Sequence, residues 1–280
     1  MSQALEGFQP AHTYLVCVDS DGCAMDTMDY KHERAFCPEL IRVFGLEAHS
    51  AYCTPLWEKI NLRSATRGIN RFKGALMAFE QLEAEKGIAV PGIEEIRDWV
   101  LHTRELSNPA LEAEVQRTGS AALGKLLEWS RAVNAVIASL TGMDHPFPGV
   151  SETLAAVREQ ADTAVVSSAN AEALRDEWGR HGLAAYMDVL LGQEVGPKAA
   201  CIAAILKKGY AADRVLMVGD ALGDLEAAQK NGVLFYPILV GQEKESWEKL
   251  REEALPRFFS GSYRGGYEQS RIQAQKEILN

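Results

Sequence analysis

Five short apolar runs punctuate the chain, at 14–18, 164–166, 189–191, 215–218 and 233–240, and none alternates with polar residues. Unbroken runs of this length suit strands covered on both faces of a parallel sheet. Helical periodicity fills the gaps between them, at 151–160, 171–181, 198–208 and 224–231. From residue 149 onward helix and strand therefore take turns, which predicts an α/β fold with a doubly wound parallel sheet. Ligands in such sheets collect outside the carboxyl ends of the strands. Asp19 and Ser167 follow their runs directly and Asp220 follows its run after Gly219, so all three are expected at one crevice.

Residues 29–145 carry a different pattern. Helical spacing dominates at 33–44, 72–86, 93–106 and 110–140, with breakers at 87–92 and at Ser107-Asn108-Pro109. The pattern predicts an all-helical domain inserted after the first strand, with the chain returning through 143–149, where Pro146 and Pro148 stand. The expected division is a core of 1–28 with 146–280 and a helical domain of 29–145. Beyond Gln242, helices are expected over 243–253 and 268–279, and the role of the tail stays open.

Composition narrows the function. With 280 residues, 47% of them hydrophobic, the chain can bury a substantial core. A formal net charge of −10 argues against broad binding to nucleic acid or anionic membranes. The cysteines at 17, 23, 37, 53 and 201 form no CxxC pair and read as free thiols of a reducing compartment. No signal peptide or membrane-length apolar run is visible, so a cytoplasmic protein is expected.

The chemistry concentrates in Asp19-Ser20-Asp21-Gly22. Two like charges 4 Å apart repel by roughly 4 kcal/mol at an effective dielectric of about 20. A cation, or a proton on one carboxyl, has to offset that. Packing gives no reason for both charges at a strand end; metal-assisted chemistry does.

Together with Val165-Val166-Ser167, Lys198 and Gly219-Asp220-Ala221-Leu222-Gly223-Asp224, this segment resembles the four ordered motifs of the haloacid dehalogenase superfamily. The likeness is to its phosphatase-like members, of the phosphoglycolate phosphatase and beta-phosphoglucomutase kind, with a helical cap after the first strand. Phe147-Pro148-Gly149 resembles their re-entry from cap to core. The resemblance implies a Rossmann-like core and a catalytic set of Asp19, Asp21, Ser167 and Lys198. Asp19 would be the nucleophile, Asp21 the general acid and base, and Ser167 and Lys198 the phosphate ligands. It implies Mg2+ held by the Asp19 and Asp220 carboxylates and the Asp21 carbonyl. Asp224, read as one helical turn beyond Asp220, would bind a metal water or orient a ligand. Ser168, at the start of the following helix, would add a contact to phosphate. This chain departs from many relatives in having Cys23 where they have threonine, and Ala-Ala after Lys198. A dehalogenase or a phosphonate-cleaving relative would lack an acid at the position of Asp21, which speaks against both.

Arg67, Asn70 and Arg71 lie in the one dense basic stretch, 62–73, and are candidates for reading an anionic or polyhydroxylated substrate. A solvated helix face is the competing reading. Trp57, Trp99 and Trp129 are expected in the core of the helical domain. The expected function is a magnesium-dependent phosphatase acting on a small phosphorylated metabolite. A sugar phosphomutase on the same core, or a binding protein without catalysis, are the alternatives. Oligomeric state stays open.

Overall fold

The computed structural model describes residues 3–140 and 142–280, and the chain divides into two compact units, Met1–Thr27 with Asp144–Asn280, and Met28–Met143. The first unit contains the strands β1 (Tyr14–Val18), β2 (Ala161–Val166), β3 (Val189–Leu191), β4 (Val215–Gly219) and β5 (Leu234–Pro237). All neighbouring strands are parallel, in the order β3-β2-β1-β4-β5. Alternation along β1 explains its unbroken apolar run. Val16 and Val18 join Leu154, Trp178 and Trp247 in one buried cluster, while Leu15 and Cys17 join Ile202, Ile205 and Leu225 in another. Successive side chains point to opposite faces, and both faces are dry.

β2 begins three residues before its apolar run. Asp162 is buried there because it accepts hydrogen bonds from the Ala11 and His12 amides and from the Tyr210 hydroxyl. Thr163 donates its hydroxyl to the Tyr186 carbonyl at 2.7 Å. Satisfied polar groups can sit in a buried strand, and apolar content alone does not mark them.

The tail completes the sheet. Strand β5 is an edge, and unpaired edge groups need partners. Glu268 accepts from the Phe235 amide at 3.0 Å and the Tyr263 hydroxyl donates to the Phe235 carbonyl at 2.7 Å. Trp247, Phe258 and Tyr263 are buried against the same side of the sheet. Burial of each is worth roughly 1.5–3 kcal/mol, so 242–280 is an integral part of this unit.

The second unit is helical: Met28–Lys31, Cys37–Phe44, Ser50–Leu62, Arg71–Lys86, Ile93–His102, Asn108–Thr118 and Ala121–Ser139. A π-helical turn, His32–Phe36, joins the first two. The stretch expected as one helix over 110–140 is two. Gly119 takes φ +68°, and the Ser120 hydroxyl accepts from the Leu123 amide to start the next helix. The helix Ser50–Leu62 lies outside the expected helical stretches and carries Pro55 inside it. Its buried residues Cys53, Leu56, Trp57 and Ile60 nevertheless form a regular helical face. Trp57, Trp99 and Trp129 are buried as expected, and the Trp57 and Trp129 rings meet edge to face at 5.9 Å. Among the described residues no helix is long and apolar enough to cross a membrane.

Candidate active site

Asp19 is the first residue beyond β1, and its amide still donates to the Val218 carbonyl at 2.9 Å. Val18 pairs with Val165 on one side and Val218 on the other. The register therefore brings Asp19 to the same sheet edge as Ser167, just past β2, and Asp220, just past β4. Pro197 precedes the helix Lys198–Leu206, which puts Lys198 in its first turn.

One atom each from Asp19, Asp220 and Asp224 lies within 4.8 Å of the others, and all three residues are buried. Lys198 Nζ lies 2.7 Å from Asp19 Oδ2 and 2.5 Å from Asp224 Oδ1. Burial acts to lower the Lys198 pKa, but Asp19 and Asp224 outweigh it and hold the ammonium charged. Burial pushes the Asp19 carboxyl well up. Lys198 opposes the shift, and Asp224 and Asp220 add to it. Asp224 is raised for the same reasons, burial first. One ammonium facing three carboxylates leaves an excess of two negative charges if all ionise, and a divalent cation matches that excess. Magnesium prefers an all-oxygen site of this kind, so the residues present fit the ion.

Asp224 does not stand one helical turn beyond Asp220, because the helix Leu222–Lys230 begins only after Asp220. Instead Asp224 folds back over the helix start, its Oδ2 accepting from the Ala221 amide at 3.1 Å while Oδ1 takes Lys198. Gly219 makes room for it. A Cβ there would lie 2.4 Å from Asp224 Cγ. Gly219→Ala is expected to displace Asp224 and with it Lys198. Magnesium affinity, read by calorimetry, should fall at least tenfold in a variant that still folds. Unchanged affinity would show that Asp224 does not shape the cation site.

Asp21 is half-buried, and its carboxylate accepts from the buried Thr27 hydroxyl. Sequence reading assigned Thr27 no part, and a lone threonine gives no signal of one. Ser167 is buried, donating its amide to Leu191 and accepting at Oγ from the Ala169 amide at 3.1 Å. Ser168 beside it is exposed. Asn170 caps the helix Ala171–Arg180 through the Ala173 amide.

Arg67, Asn70 and Arg71 belong to the helical unit, and each makes hydrogen bonds within it. Arg67 is buried and donates to the Leu62 carbonyl. Asn70 accepts from the Phe72 amide at the start of the helix Arg71–Lys86 and donates to Leu106. Arg71 donates to the Ser130 carbonyl and hydroxyl and to Asn134, with its guanidinium 5.0 Å above the Phe36 ring. Burial pulls its pKa down to about 10. Arg71→Ala should therefore cost about 1–3 kcal/mol of stability, the usual effect of stranding buried partners. Thermal unfolding would read this as a drop of several degrees. An unchanged midpoint with a raised KM would instead assign Arg71 to the substrate.

Comparison with known proteins agrees with this architecture. The family profile described as haloacid dehalogenase-like hydrolase matches residues 60–238, more than half of the chain. The chain belongs to the haloacid dehalogenase-like hydrolases, and is an enzyme of that class. Asp19 lies outside the matched stretch; the central position of β1 in the sheet is what brings it to the site. No curated protein matches the chain in sequence. Among solved structures, a candidate phosphoglycolate phosphatase from Lactobacillus delbrueckii subsp. bulgaricus is 16% identical. The alignment covers 81% of this chain and 86% of that one, with a TM-score of 0.50. A candidate phosphoglycolate phosphatase from Haemophilus somnus 129PT is 17% identical over 81% and 86%, with a TM-score of 0.48. A candidate beta-phosphoglucomutase from Thermotoga maritima is 16% identical over 80% and 84%, at 0.42. The Lactobacillus likeness is one of fold.

Proposed function

We propose that the protein is a magnesium-dependent phosphatase that hydrolyses a small phosphorylated metabolite through an aspartyl-phosphate on Asp19. The observation that carries this reading is the Lys198 ammonium set between Asp19 and Asp224, with Asp220 in the same buried cluster. In the first step an Asp19 carboxylate oxygen attacks phosphorus, and the bond from phosphorus to the alcohol oxygen breaks. Asp21, as the acid, gives its proton to that leaving oxygen. In the second step Asp21, now a carboxylate, takes a proton from water as the water attacks phosphorus. Phosphate leaves and Asp19 is restored. Ser167 and Lys198 serve the phosphoryl oxygens, where charge develops, and the exposed Ser168 can add a contact. Asp19 and Asp220 would hold the magnesium ion with the Asp21 carbonyl, and Asp224 would orient it. The ion supplies charge neutralisation for the cluster and the phosphoryl group.

Asp19 is only 5% exposed, which favours a small ester over a phosphoprotein. The net charge of −10 likewise disfavours nucleic acid as a partner. Arg67, Asn70 and Arg71 remain proposed as contacts to the distal part of the substrate, subject to the Arg71 test. Five buried cysteines without disulfides favour a cytoplasmic setting. The test is a phosphate-release screen over sugar phosphates, nucleotides and phosphorylated acids in magnesium. Free phosphate supports the reading. An isomerised sugar phosphate without net release would assign a mutase, and no turnover of any ester would remove both.

A further inference from the structure

The loop that carries Asp21 is held from outside by two indoles. Trp178, fully buried on the helix Ala171–Arg180, donates Nε1–H to Ser20 Oγ at 2.8 Å. Trp247, fully buried on the tail helix Glu243–Lys249, donates Nε1–H to the Cys23 carbonyl at 3.0 Å. Between these two anchors lie only Asp21 and Gly22. Inside the loop the Ser20 carbonyl accepts the amides of Cys23, Ala24 and Met25, and Gly22 takes φ +77°. The segment is thus a tight turn with fixed ends.

Trp247 is itself fixed. Its carbonyl accepts from the Thr153 hydroxyl at 3.1 Å, and a Cβ on Gly149 would touch its own Cβ at 3.3 Å. A bulky indole whose N–H finds a backbone acceptor loses little freedom on use, because its burial has already ordered it. Packing alone would be met by phenylalanine. The N–H contacts to residues on either side of one carboxylate need a separate reason.

We propose that Trp178 and Trp247 are positioning residues that set the Asp21 carboxyl for proton delivery to the leaving oxygen, and that this is the role of the tail's first helix. Neither indole touches the reacting atoms; each acts through Ser20 or Cys23. The inference rests on the phosphatase reading, in which Asp21 protonates the alcohol as its bond to phosphorus breaks. General acid catalysis contributes on the order of a hundredfold or more, and only when the donor is within reach. A misplaced acid matters most when the leaving oxygen is strongly basic. An aryl phosphate leaves with little help, whereas an alkyl phosphate needs the proton.

The experiment compares kcat/KM for p-nitrophenyl phosphate and for an alkyl phosphate hydrolysed by the wild type. The variants are Trp178→Phe, Trp247→Phe and the double substitution, each with its thermal midpoint measured. kcat/KM is the right quantity because it reports formation of the phosphoenzyme, the step that needs the acid. Loss of either N–H is expected to lower the alkyl value about tenfold more than the aryl value, and the double variant more again. Equal losses on the two esters, or none, would overturn the inference and leave the indoles as packing. Asp19→Asn runs alongside. Wild-type turnover that survives in Asp19→Asn would overturn the phosphatase reading itself, and absence of any wild-type turnover would do the same. The two failures are therefore distinct. Should Trp247→Phe fail to fold, Trp178→Phe and Ser20→Ala, which removes the oxygen Trp178 holds, test the same anchor from both ends.

Discussion

Asp19→Asn is expected to reduce turnover by roughly four to six powers of ten, the scale seen when a covalent nucleophile is removed. The amide cannot attack phosphorus, and it offers a poorer ligand to a cation. The fold should survive the change. Asp19 is buried beside Asp220 and Asp224, and burial together with those neighbours already disfavours its charge. A neutral group there relieves repulsion, so the thermal midpoint should hold or rise even as activity disappears. Sites that concentrate like charges for chemistry commonly trade stability in this way. Steady-state phosphate release and thermal unfolding on the same sample check both halves. A variant retaining a tenth of wild-type turnover would remove Asp19 from the chemistry.

Chelation is expected to have an effect of the same order. With divalent ions removed, phosphate release should fall to background, and magnesium should restore it. A second readout needs no substrate. A ligand that binds only the folded state adds about 2.7 kcal/mol of apparent stability at a concentration one hundred times its Kd. The thermal midpoint of the wild type should therefore climb with magnesium. In Asp220→Asn the climb should be lost, because the cluster then holds one fewer carboxylate to compensate. Full activity in excess chelator, or an equal climb in Asp220→Asn, would contradict a cation site at Asp19, Asp220 and Asp224.

Much of the core was legible because its strands are covered on both faces and its motifs sit at strand ends. The run 14–18 is β1 residue for residue, and the carboxyl edge where Asp19, Asp220 and Lys198 meet follows from strand order. Local pattern was less informative wherever tertiary partners decide the matter. Asp162 and Thr163 extend β2 because distant groups satisfy them. The helix Ser50–Leu62 runs through Pro55 because its apolar face is buried. The basic stretch around Arg71 read as a substrate contact or a solvated face, and neither reading foresaw a guanidinium that donates to Ser130 and Asn134, some sixty residues away. Thr27 and Trp247 were invisible for the same reason. A hydrogen bond from residue 247 to the carbonyl of residue 23 leaves no trace in either local sequence.

The account turns on a covalent phosphoryl group at Asp19. Rapid acid quench during turnover, followed by proteolysis and mass spectrometry, measures it directly. The wild type should carry one phosphoryl group on the peptide containing Asp19, and Asp19→Asn should carry none. Turnover without a phosphorylated peptide, or with the group on any other residue, would contradict it.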